Sequence, residues 1–166
     1  MPHKWNSKAP CTAGSVQHER PVRKILIVDD CADTADSLAR LLQMWGHDAR
    51  AAYDGTEALR LARDQRPEVV ILDVGLPGMD GYEVARQLRA GAGGEGILIL
   101  VASGYGSAED RRRSEQAGCD GHLMKPVDLA ALQAFLCKET LHVQGCLKAG
   151  ATREQILEAA GVAVLM

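Results

Sequence analysis

A chain of 166 residues with 46% hydrophobic and 25% charged side chains has room for one ordinary domain with modest extensions, which excludes wholesale disorder and most multi-domain enzymes. The formal charge of −3 gives no call for a polyanionic partner, so direct nucleic acid binding is not expected; it is also uneven, with five basic side chains against one acidic in residues 1–24 and 14 against 21 in the remainder. The longest uninterrupted apolar stretch, Ile97 to Ala102, is far short of the roughly 20 residues that cross a bilayer, and without an apolar signal core at the N-terminus the protein is expected to be cytoplasmic and membrane-free.

Residues 1–23 mix Pro2, Pro10, Gly14 and Pro21 with serines and scattered charges and no apolar periodicity, so a flexible arm is predicted. From Lys24 the pattern changes. Ile25 to Val28 is a short, continuously apolar run, as expected of a parallel strand covered on both faces. Thr34 to Trp45 places Leu38, Leu41, Leu42 and Trp45 on one helical face, with Asp33 as the expected N-cap and Gly46 as the stop. Strand-like Ala49 to Tyr53 precedes Asp54 and Glu57, whose spacing is that of a capping box opening a second helix.

Val69 to Leu72 repeats the apolar strand pattern, and Asp80 with Glu83 repeats the box. Ile97 to Ala102 is the fourth strand. The helix expected from Ser107 to Gln116, ended by Gly118, has almost no apolar face, because Glu109, Asp110, Arg111, Arg112, Arg113, Glu115 and Gln116 occupy most of it; burial can hardly hold it, and a solvated edge helix is the favoured reading over a partner-reading surface. Gly121 to Met124 and an apolar helix from Asp128 to Cys137 complete five β/α repeats. Such alternation demands right-handed crossovers and a doubly wound α/β fold with a five-stranded parallel sheet.

Five cysteines, Cys11, Cys31, Cys119, Cys137 and Cys146, contain no C-x-x-C pair, which favours reduced thiols over a disulfide frame or a zinc knuckle. Cys31 reads as a loop filler.

Ligands of open α/β sheets bind beyond the carboxyl ends of the strands. The first strand ends in Asp29 and Asp30, the third in Asp73, the fourth in Ser103 and the fifth in Lys125 and Pro126. Three carboxylates so close would repel one another unless a cation neutralised them, and their hard oxygens suit magnesium. An ammonium opposite such an ion cancels the charge of an incoming phosphoryl group while a carboxylate attacks phosphorus. Each aspartate singly could be a turn or helix cap; three carboxylates, a hydroxyl and an amine jointly are not explained that way.

The segments I-L-I-V-D-D (25–30), V-V-I-L-D-V-G-L-P-G-M-D-G (69–81), V-A-S-G-Y-G (101–106) and H-L-M-K-P-V-D (122–128) resemble the receiver domain of two-component response regulators over residues 24–137. The resemblance implies a flavodoxin-like strand order 2-1-3-4-5. It implies that Asp73 is the phosphoacceptor, that Asp30, Asp73 and the carbonyl of Gly75 bind magnesium with Asp29 holding the ion through water, and that Lys125 pairs with the phosphoryl group across a cis bond to Pro126. Ser103 stands at the hydroxyl switch position. His122 stands where an aromatic switch residue is usual, and a rotameric role and a polar surface role are both open to it. Tyr105 is expected at the mouth of the site.

Only 29 residues follow Cys137, too few for a helix-turn-helix output domain, so a stand-alone receiver is predicted. It would accept a phosphoryl group from a sensor histidine kinase or a histidine phosphotransfer protein, signal through a downstream protein partner, and not be an enzyme beyond its own phosphorylation and slow dephosphorylation. The tail, 138–166, is expected to be helical, with Thr152 and Gln155 as a capping box and Ile156, Leu157, Ala160 and Val164 as an apolar face able to form a homodimer. Its residues 142–166 resemble part of the carboxymuconolactone decarboxylase/alkylhydroperoxidase-like family, but the C-x-x-C pair is absent and no catalysis follows; His142 and Cys146 read as ordinary helix residues rather than metal ligands. A magnesium-dependent phosphohydrolase is the enzymatic alternative, weakened because Gly75 stands where such hydrolases carry a second acid; a truncated peroxidase-like fusion is the other.

Overall fold

In the computed structural model, residues 22–104, 106–138 and 163–164 are described. The strands are β1 (Lys24–Val28), β2 (Asp48–Ala52), β3 (Val69–Asp73), β4 (Leu98–Ser103), β5 (Gly121–Met124) and β6 (Ala163–Val164), and the helices are α1 (Ala32–Met44), α2 (Gly55–Gln65), α3 (Gly81–Ala90), α4 (Ala108–Gln116) and α5 (Leu129–Lys138). The sheet order is β2-β1-β3-β4-β5-β6. Its first five strands are parallel, in the predicted order, while β6 runs antiparallel to β5.

Two cores follow from the strand period of two. Ile25 and Ile27 of β1 face one way, into Ala35, Ala39 and Leu42 of α1 and Leu132 and Leu136 of α5. Leu26 and Val28 face the other, into Ala58 and Ala62 of α2 and Tyr82, Val84, Ala85 and Leu88 of α3. The continuous apolar runs are therefore strands buried on both faces, as parallel sheets require.

Asp54 and Asp80 cap α2 and α3, accepting from the backbone N–H of Glu57 at 2.7 Å and of Glu83 at 2.8 Å. The reciprocal halves differ from a full capping box: Glu57 accepts from Tyr53 N, and Glu83 turns to Arg86 and Gln87. Asp33 is not the cap of α1. Cys31 holds that position without a side-chain bond, and Asp33 stands in the first turn. The reason lies upstream, where Asp29 Oδ1 accepts from Cys31 N at 2.9 Å and starts the turn earlier.

The start of the fold also differs from expectation. Arg23, assigned by sequence to the flexible arm, is buried, with its Nη1 2.5 Å from Glu68 Oε2 and its backbone N–H donating to His47 Nδ1. At the other end, Ala163 and Val164 fall in a predicted helix but form β6, paired with His122 and Gly121. A two-residue β-branched and small pair satisfies the open edge of β5, a long-range contact that helical periodicity cannot register. The remaining tail expectations, with Cys137's side chain, His142, Cys146, Thr152 and Gln155, lie outside what is described, as does Tyr105.

A candidate phosphoacceptor site

Five strand-end residues arrive together because the parallel strands end on one edge of the sheet. Asp73 is the last residue of β3, Ser103 the last of β4, and Asp29 and Lys125 directly follow β1 and β5. Asp29, Asp30 and Asp73 each offer a carboxylate oxygen, all within 4.8 Å of one another. Asp29 is buried, Asp73 partly buried and Asp30 exposed. Hard oxygens at that spacing fit a small divalent cation that keeps part of its water shell.

Lys125 Nζ lies 2.9 Å from Asp29 Oδ2 and 3.1 Å from Asp73 Oδ1. Burial alone would lower the pKa of this ammonium, but its bonds to Asp29 and Asp73 outweigh burial and raise it above the usual lysine value. It therefore remains a cation at neutral pH. Asp73 Oδ1 also accepts from Gly75 N at 3.2 Å, while Oδ2 takes part in none of the described hydrogen bonds. A Cβ at Gly75 would lie 3.7 Å from that oxygen, an ordinary van der Waals contact.

The carboxylate is also held from behind. A Cβ at Gly81, the first residue of α3, would come within 2.3 Å of the Asp73 carbonyl oxygen, so only glycine lets the helix begin directly against the end of β3. Gly81 N donates to Val74 O at 3.1 Å.

Ser103 and His122 meet inside the protein. Both are buried, and Ser103 Oγ is 2.7 Å from His122 Nε2. Of the two roles open to His122, a polar surface residue is thus excluded. Burial, first, and the Arg111 charge, second, lower its pKa, with Asp110 acting the other way; the ring is neutral at pH 7. The Lys125–Pro126 bond is cis, as the resemblance implied.

With this geometry the comparisons agree. The family model described as the response regulator receiver domain matches residues 25–136. This chain belongs to the response regulator receiver family. The receiver is 44% identical over 114 residues to a protein named response regulator MprA from Mycobacterium sp. strain KMS, covering 69% of this chain and 48% of that one. It is 40% identical over 111 residues to the transcriptional regulatory protein PrrA of Mycobacterium tuberculosis, covering 67% and 47%. The chain thus spans about half the length of the curated relatives it matches. Among solved structures it is similar to the chemotaxis protein CheY4 of Vibrio cholerae, with a TM-score of 0.64 and 32% identity over 68% of this chain and 98% of that one. It is also similar to the receiver domain of Saccharomyces cerevisiae Ssk1, crystallised with the histidine phosphotransfer protein Ypd1, with a TM-score of 0.64 and 27% identity over 78% and 92%.

The family match stops at residue 136, so the likeness of residues 142–166 to the alkylhydroperoxidase-like family finds no support in it. Among the described residues no helix is long and apolar enough to cross a membrane.

Two features of the receiver escaped the sequence reading. A cleft of about 790 Å³ opens beside the carboxylates, walled by Leu38 and Leu41 of α1 and by Val127 and Leu129 after β5. The apolar stripe of α1 was legible, but its division was not: Leu42 is buried in the core while Leu38 and Leu41 border the cleft. The second feature is the attachment of α4 to the start of α3, where Arg113 lies 4.7 Å from the Tyr82 ring centroid and 3.2 Å from Asp80 Oδ2.

Proposed function

We propose that this receiver accepts a phosphoryl group on Asp73 from the phosphohistidine of a sensor histidine kinase or a histidine phosphotransfer protein, and that it passes the change to a protein partner in the cytoplasm. The observation that carries the reading is the Lys125 ammonium set between Asp29 and Asp73, with Asp73 Oδ2 left outside the described hydrogen bonds. Asp29, Asp30 and Asp73, with the backbone carbonyl of Gly75, would hold magnesium. When bound, that ion cancels charge on the phosphoryl oxygens.

Asp73 Oδ2 supplies the lone pair that forms the new O–P bond as the P–N bond to the donor imidazole breaks, and the departing imidazole takes a proton from water. Lys125 exchanges part of its contact with the carboxylates for the arriving phosphoryl oxygens. Ser103 donates its hydroxyl to the same group. Gly75 has no side chain that could move a proton in hydrolysis, which supports a slowly reversing switch over a phosphohydrolase.

Incubation with acetyl phosphate, followed by intact mass and peptide mapping, tests the assignment. Labelling is expected on Asp73 with magnesium, none in chelator and none in Asp73→Asn. Undiminished labelling of the variant, or equal labelling in chelator, overturns it.

A further inference from the structure

We propose that His122 is a positioning residue that acts through Ser103 and makes phosphoryl acceptance proton-linked: the hydroxyl that must turn to the phosphoryl group is held by His122 Nε2, and its departure is accompanied by proton uptake on the imidazole. The inference rests on Asp73 being the phosphoacceptor.

The geometry begins with the sheet. His122 pairs in register with Val101, and Ser103 lies two residues further along β4, so the two side chains share a face and meet diagonally. Their polar atoms are 2.7 Å apart and both residues are nearly fully buried, at 7% and 6% exposure. A single hydroxyl hydrogen cannot be directed at both Nε2 and a phosphoryl oxygen. With the ring proton on Nδ1, the tautomer this proposal assigns, Ser103 Oγ is the donor to Nε2, and when it turns a buried acceptor loses that donor, which is costly at so little exposure. A proton on Nε2 removes that cost by converting an acceptor without a partner into a donor.

The surroundings set the direction. On α4, Arg111 opposes a charged imidazole and Asp110 favours it. On β4 the neighbour is the neutral Ser103 hydroxyl, and on β6 Ala163 pairs with the His122 backbone and adds no side-chain charge. Burial keeps the ring neutral before phosphorylation. A phosphoryl dianion arriving nearby adds negative charge and removes the bond that favoured the neutral form. Both changes raise the imidazole pKa in the phosphorylated state, so by linkage phosphoryl-like ligands bind more tightly as pH falls.

Fluoroberyllate, a phosphoryl mimic that binds carboxylates, tests this in the full chain with saturating magnesium. Affinity is measured from about pH 8 to about pH 6, the range in which histidine titrates. The wild-type protein is expected to bind several-fold more tightly per unit fall in pH, up to the roughly tenfold limit for one proton, with a slope clearly steeper than those of His122→Phe and Ser103→Ala. The pH responses of the mimic, the metal and the carboxylates are common to all three proteins and cancel in the comparison. Equal slopes in wild type and both variants overturn the inference. If a variant fails to fold, ring nitrogen chemical shifts of His122 in the wild type replace it: conversion from neutral to protonated on saturation supports the inference, and an unchanged neutral ring overturns it. Asp73→Asn separates the two readings, since undiminished fluoroberyllate binding there defeats the phosphoacceptor assignment itself, whereas its loss alongside equal slopes defeats only the role of His122.

Discussion

Helices α1 and α4 cover the same sheet but are attached to it by different physics. From α1, Ala35, Ala39 and Leu42 enter the core at no more than 5% exposure, and Leu38 and Trp45 pack against them. From α4 the single buried residue is Ser114. The described contacts that tie that helix to α3 are directional and polar: the Tyr82 hydroxyl donates to Asp110 O, and Arg113 lies against Tyr82 and Asp80. Apolar burial is lost only by taking the whole face from water, whereas each polar contact is worth about 1 kcal/mol or less and can be exchanged for water or another partner. The helix that can shift at small cost is the one whose Arg111 and Asp110 act electrostatically on His122, beside Ser103. The receiver therefore combines a rigid half, which holds Asp29 and Asp73, with a half whose position a change at Ser103 can alter.

The largest expected effect that would break this contrast lies in α1. Leu42→Ala should destabilise the protein by about 2–5 kcal/mol, the usual range for a fully buried leucine, as read by urea denaturation. A loss below about 1 kcal/mol would mean that α1 is no more firmly attached than α4.

A pH effect of intermediate size comes from Cys119, just after α4. Burial first, then the Asp120 charge, push its thiol pKa up to about 12. In the unfolded chain a cysteine ionises near pH 8.5. The folded pKa being the higher one, the contribution is fully present below about pH 8.5 and is lost as pH rises toward the folded value. Stability of the wild type should thus fall from about pH 8.5 to about pH 10 more steeply than that of Cys119→Ala. Parallel curves would show that the α4–β5 connection already opens to solvent in the native state.

The smallest expected effect sharpens the comparison most. Arg113→Ala should cost less than about 1 kcal/mol globally, because both members of its pair with Asp80 are about half exposed. Amide exchange from Ala108 to Gln116 should nevertheless accelerate, while exchange in Ala32 to Met44 stays unchanged. Equal acceleration in both helices would show that α4 is not an independently mobile element.

How legible this was from the chain depended on the range of the interaction concerned. Ile25 to Val28 and Val69 to Leu72 announced buried parallel strands because their environment is apolar on both faces, which the side chains must match position by position. Asp54 and Asp80 announced helix starts because a cap bonds a backbone group two or three residues away. Asp33 misled for a related reason: its pattern is that of a cap, but the Asp29 carboxylate had already begun the turn. Asp29, Asp73, Ser103 and Lys125 could be grouped in advance because parallel strands in one sheet end on one edge.

Contacts between elements distant in sequence left no such trace. The burial of His122 against Ser103, 19 residues away, follows from the register of β4 and β5, and nothing local distinguishes that histidine from one facing water. Lys125 bridges Asp29, 96 residues away, because the parallel strands β1 and β5, though separated by β3 and β4, end at the same edge of the sheet. Arg113 looks like one charge among many in α4, and only the docking of α3 beside it supplies the Tyr82 ring. Period, capping and strand-end chemistry are local and are written in the residue order. Which side chain faces which across strands and helices is set by packing and register, and appears only when the chain has folded.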